Sequence, residues 1–166
     1  MWQVEDLLRG VQLDADALAQ KVLYNAAIPQ ETAVAWKEWY RGLADMMRLE
    51  GVTERGHLGM NNNLLQEVAD VHKHLLDLEA MEEYKDKYYK ALSFIVEFRA
   101  KSGKKDCSEI ESCLDFMYEI WLLKLQKREI LEQTQKVIDA ISGMLSMLAG
   151  YFVQYENGEL DFDSLE

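Results

Sequence analysis

The chain has 166 residues, 49% of them hydrophobic and including 4 Trp, 8 Tyr, 5 Phe and 8 Met, so it holds enough apolar material to bury about two-thirds of its unfolded surface and lies outside the disordered class. Thirty acidic against 18 basic residues leave a net charge of −12, which repels a duplex phosphate backbone, and a single proline with nine glycines disfavours the tight turns of sandwiches and barrels. Two cysteines, Cys107 and Cys113, make neither a disulfide framework nor a zinc ligand set, and with no leader pattern and no unbroken apolar stretch of spanning length the sequence predicts a cytoplasmic protein with no membrane and no nucleic-acid partner.

The opening run has helical spacing at Val4, Leu7, Leu8 and Val11. Its polar residues Glu5, Asp6 and Arg9 read as a solvated face, with an internal ion network beside Trp2 as the alternative. Asp14 is placed to cap a helix from Ala15 to about Tyr24, and Pro29 ends that segment. From Gln30 to about Glu50, Trp36, Trp39, Tyr40, Leu43, Met46 and Met47 recur at steps of three and four, which predicts a helix with one apolar stripe. The four tryptophans, Trp2, Trp36, Trp39 and Trp121, read as core packing in preference to an aromatic cage.

Gly51 to Met60 reads as a loop, after which Asn61, Asn62 and Asn63 offer caps to the next helix. That helix carries a seam of Leu64, Val68, Val71, Leu75 and Leu78, with Glu67, Asp70, His74 and Asp77 on another face. A further helix from about Met81 to Lys101 buries Tyr84, Tyr88, Ala91, Leu92, Ile95 and Phe98 and stops at Gly103, the lysines Lys101, Lys104 and Lys105 serving its C-terminus. Ser108 and Glu111 form a capping box, and the helix beyond is apolar nearly all round, which predicts a central position. The last helix, about Leu131 to Tyr155, buries Val137, Ile138, Ile141, Met144, Leu145, Leu148 and Phe152. It also carries a strip of small residues, Ser142, Gly143, Ser146, Ala149 and Gly150, read as close packing within the monomer with a homodimer contact as the alternative. The result is an all-α bundle of six or seven helices, mostly antiparallel neighbours, in one domain over residues 1–155, followed by an acidic, flexible tail over 156–166.

Three places could carry chemistry. Glu67, Asp70 and His74 project from one side of a helix at the spacing by which bundles build oxygen and nitrogen metal sites, although the other helices supply no matching carboxylate pair. Within that stretch EVADV resembles a motif of the all-α nucleoside triphosphate pyrophosphohydrolases, a resemblance that implies magnesium held by Glu67 and Asp70. The earlier run of glutamates in those enzymes has only Glu50 and Glu54 as a counterpart here. The loop TERGHLGMNNN brings Arg55, His57, Asn61 and Asn62 to a helix N-terminus, where free amides favour an anion, and these four are the candidate ligand-binding residues. Cys113 reads as a small core residue, and no nucleophile elbow, phosphate loop or dinucleotide fingerprint is present.

The runs MWQVEDLLRG, EWYRGLADMMRLEG, ERGHLG and YYKALSFIVEFRAKSG, taken together, resemble an uncharacterised all-helical bacterial family, a domain of unknown function. Members of that family carry an apolar helical lead-in before the MWQ segment, so the resemblance implies that this chain begins at an internal start. It brings no activity, cofactor or catalytic residue. The expectation is an intracellular helical interaction or ligand-binding module, without catalysis and without a cofactor, and with a homodimer as its candidate assembly. A magnesium-dependent phosphohydrolase using Glu67 and Asp70 is the alternative.

Overall fold

A computed structural model describes residues 1–23, 29–102 and 107–162. Among them are seven helices and no strand: α1 (Trp2–Gly10), α2 (Ala15–Leu23), α3 (Gln30–Leu49), α4 (Gly59–Asp77), α5 (Glu82–Ser102), α6 (Glu109–Leu125) and α7 (Glu132–Glu156). The fold is an all-α bundle. Tyr24, Gly103, Lys104 and Lys105, and residues 163–166 of the acidic tail, lie outside the described residues.

The chain gathers into two compact units, Met1–Leu64 and Leu65–Glu166, with the division falling inside α4. In the first unit α3 lies along α2 and against α1, enclosing Leu8, Leu13, Leu18, Tyr40, Leu43, Met47 and Leu58. Each such side chain contributes about 1.5–3 kcal/mol when removed from water. Asp14 caps α2 as its position predicts, its Oδ1 accepting from the amides of Asp16 and Ala17 at 3.0 Å. The turn before it is unusual: Gln12 and Leu13 both have positive φ, 55° and 62°, without a glycine. Burial of Leu13, and the Arg48 guanidinium that donates to its carbonyl at 2.9 Å, hold the turn in place.

In the second unit α7 runs along α5, and α6 packs on both. Val71, Leu75, Tyr84, Ala91, Ile95, Ile110, Cys113, Ile141, Met144 and Leu148 form the core. Ser108 caps α6, its Oγ accepting from the Glu111 amide at 3.0 Å. After α7, Leu160 is buried and Phe162 stacks on His74 and on Tyr155, with ring centres 4.8 and 5.4 Å away.

Four local expectations change. Trp36 and Trp39 are not core residues: they stand 40% and 47% exposed, because α3 points Tyr40, Leu43, Ala44 and Met47 inward. Helix α4 starts at Gly59, so Asn61 to Asn63 lie inside its first turns and do not precede them. Helix α6 buries only Ile110, Ser112, Cys113 and Ile120, leaving Leu125 60% exposed, so it is not enclosed on all sides. On α1, Glu5 is fully buried where a solvated face was expected.

Candidate functional site

Glu5 sits one turn before Leu8 on α1 and faces the loop that leads into α4. Its carboxylate accepts from the Leu58 amide at 3.0 Å, Asn61 Nδ2 at 2.7 Å and His57 Nδ1 at 2.6 Å. Trp2, one turn earlier, stacks on the His57 ring at 4.5 Å. Arg9, one turn later, donates to the carbonyls of Val52 and Gly56. Gly56 has φ +87°, a conformation open to glycine at little cost, and it turns that carbonyl toward α1. At the start of α4 the Gly59 amide donates to Glu50 Oε2 at 2.6 Å.

The amides at this helix start meet two of the protein's own carboxylates, Leu58 donating to Glu5 and Gly59 to Glu50. Of the four candidate residues, His57 and Asn61 converge on Glu5, and Asn62 donates to the His57 carbonyl at 3.1 Å. Arg55 stands exposed in the same loop. These groups work as a clamp between α1 and the loop. The sequence signal for Glu5 was its place one turn ahead of Leu8 and level with Val4, on the edge of the apolar face.

On α4, Glu67 and His74 are exposed. Asp70 accepts from Lys73 Nζ and Gln66 Nε2, each at 3.0 Å, and Lys73 first, then Gln66, holds its carboxyl below the ordinary range. Both donors come from its own helix and reach the same oxygen, Oδ1. Among the described residues no group of three or more His, Cys, Asp or Glu side chains is arranged to hold a metal ion.

The polar centre that the sequence reading missed is His72, two residues before His74 and about 200° around the helix from it. It lies four residues after Val68 and three before Leu75, which turns it into the core, where it is 4% exposed. Its Nδ1 lies 2.5 Å from the Tyr84 hydroxyl. Tyr84 is fully buried, so this contact lies wholly inside the core. Nε2 has no hydrogen-bond partner and stands 3.7 Å from Glu109 Oε2, beyond hydrogen-bond reach but well within Coulombic range. The Tyr88 hydroxyl donates to the same oxygen at 2.8 Å, and the Arg99 guanidinium lies 3.9 Å from Oε1. His72, and then Tyr88 and Arg99, keep the Glu109 carboxyl below its ordinary range against the opposing pull of burial. Burial pushes both tyrosines up, and pushes the Cys113 thiol up to about 12, so Cys113 is a protonated core residue.

A third feature is a surface. On α7, Ser146, Ala149, Gly150 and Val153 are exposed along one stripe, and a methyl group built on Gly143 or Gly150 would meet no atom within 4 Å. Ser142 and Gly143, at the start of the strip, are half-buried. From Ala140 through Tyr155 the helix carries no charged side chain.

A family model described as a domain of unknown function (DUF4924) matches residues 1–159. No curated protein matches, and no solved structure matches.

Proposed function

The chain belongs to the DUF4924 family, a domain of unknown function, and we propose from its own surface that it serves as an intracellular helical interaction module that pairs with a second copy of itself through the exposed face of α7. The observation that carries this reading is the open space over Gly143 and Gly150 on an uncharged helix face of a chain with net charge −12. The small residues are also placed symmetrically about Ser146: Gly143 and Ala149 lie three positions to either side, and Ser142 and Gly150 four. An antiparallel two-fold contact centred on Ser146 would set small residues against small ones along its whole length, which is the self-complementarity an isologous dimer requires. An intracellular setting suits Cys107 and Cys113, both thiols. The phosphohydrolase alternative draws no support from the surroundings of Glu67 and Asp70.

Light scattering at high micromolar concentration tests the reading. A dimeric mass that becomes monomeric in Ala149→Glu is expected, and a monomeric mass for the unaltered chain overturns it. By length and composition α7 is also long and apolar enough to cross a bilayer, its most apolar 18-residue stretch having mean hydropathy 1.4 and 22% of its residues buried. Flotation of the chain with neutral phosphatidylcholine vesicles, abolished by Ala149→Glu, would assign the face to lipid and so defeat the dimer.

A further inference from the structure

A cavity of about 360 Å³ opens between α5, α6 and α7, on the side of α7 away from the Ser146 stripe. Its walls are Phe94 and Phe98, one helical turn apart on α5, with Phe116 of α6 and Val137 of α7. Phe98 and Phe116 meet edge to face, with ring centres 5.6 Å apart. None of the three phenylalanines is fully buried, although this residue type ordinarily is, and no side chain of the described residues fills the space between them. Cavities of this size sit at the lower end of those that take small molecules.

The rim is polar and carries both signs of charge. Glu97 and Lys101 stand together on the α5 side at 2.5 Å, both well exposed, and Thr134 lines the cavity from α7. An apolar wall topped by one carboxylate and one ammonium is complementary to a molecule with an apolar body and a zwitterionic head. A net-neutral ligand of that kind is also not repelled by a chain of charge −12. We propose that this cavity binds a free α-amino acid with an aromatic or branched apolar side chain. The side chain enters among Phe94, Phe98 and Phe116, the α-ammonium pairs with Glu97, and the α-carboxylate meets Lys101 and Thr134.

Titration of the isotope-labelled full chain with L-phenylalanine and L-leucine tests this by NMR. Saturable shifts of the Val137 methyls and the three phenylalanine rings are expected. 3-Phenylpropionate and phenethylamine, each lacking one charge of the head, should bind about tenfold more weakly. Val137→Phe fills the space and should abolish the shifts while keeping the helical circular dichroism spectrum. Lys101→Gln lies at the surface, leaves the core untouched and should weaken L-phenylalanine about tenfold. The absence of saturable shifts up to about 10 mM amino acid overturns the proposal. Equal binding of all three phenyl compounds overturns it as well, because the rim would then confer no selectivity.

Discussion

At the scale of single residues, the largest consequence attaches to Glu5, an ionisable side chain with no exposure whose oxygens receive three donors. Truncation strands the Leu58 amide, the Asn61 amide group and the His57 ring together, so Glu5→Ala should cost about 3 kcal/mol in chemical denaturation. Asn62→Ala removes only an exposed bond to the His57 carbonyl and should cost well under about 1 kcal/mol, which separates clamp from surface within one loop. The opposite sign is expected at Gln12. Its φ of 55° strains any side chain and the residue is exposed, so Gln12→Gly should raise stability by up to about 1 kcal/mol, net of glycine's freedom in the unfolded chain. A loss of stability there would mean that the Gln12 side chain makes contacts that outweigh the strain.

At the scale of elements, the helices themselves were legible because each carries apolar side chains at steps of three and four: of the α4 seam Val71, Leu75 and Leu78 are buried while Leu64 at its start stands 50% exposed, and on α7 Ile138, Ile141, Met144 and Leu148 are buried. Residues at the edges of those seams were harder to place. Periodicity assigns a direction but not a depth, so Trp36 and Trp39 on the flank of the α3 stripe stay exposed, while Glu5 and His72, beside their seams, are buried against partners on other elements, Asn61 for Glu5 and the Tyr84 hydroxyl for His72 Nδ1. Asn61 reads as a cap from sequence, and only the folded loop reveals that its amide group is held by a residue 56 positions earlier. The capping serine and the pair around Glu109 show the same division. Ser108 acts on its own helix and could be read, whereas Glu109 depends on His72, Tyr88 and Arg99 from α4 and α5. Because those groups lower the folded-state value below the ordinary 4.5, the stability they lend is fully present above that pH and is lost as pH falls through the folded value. Glu109→Gln should therefore be less stable than the unaltered chain at neutral pH, with the gap closing below about pH 4.5 in acid titrations followed by circular dichroism. A gap that persists unchanged to pH 3 would show that the carboxylate's charge contributes nothing and that only its shape matters.

At the scale of the whole molecule, charge sets the terms on which two copies could meet. Each copy bears −12, so bringing two together costs repulsion that reaches over a Debye length, about 10 Å at 0.1 M salt and far longer at low ionic strength. The proposed contact offers no opposing attraction between charges, because α7 is uncharged from Ala140 through Tyr155. Salt should then strengthen the dimer: raising sodium chloride from about 20 to 300 mM should tighten the apparent Kd several-fold in sedimentation equilibrium, through screening of the repulsion alone. An interface built on ion pairs has the opposite sign, since screening weakens its attractive contacts. The pairs Arg41–Asp16 and Arg48–Asp45 in the first unit are exposed, and any contact made through them would show that opposite trend. A Kd that rises with salt would thus relocate self-association from the Gly143 and Gly150 face to a charged surface, even if the dimer itself were confirmed.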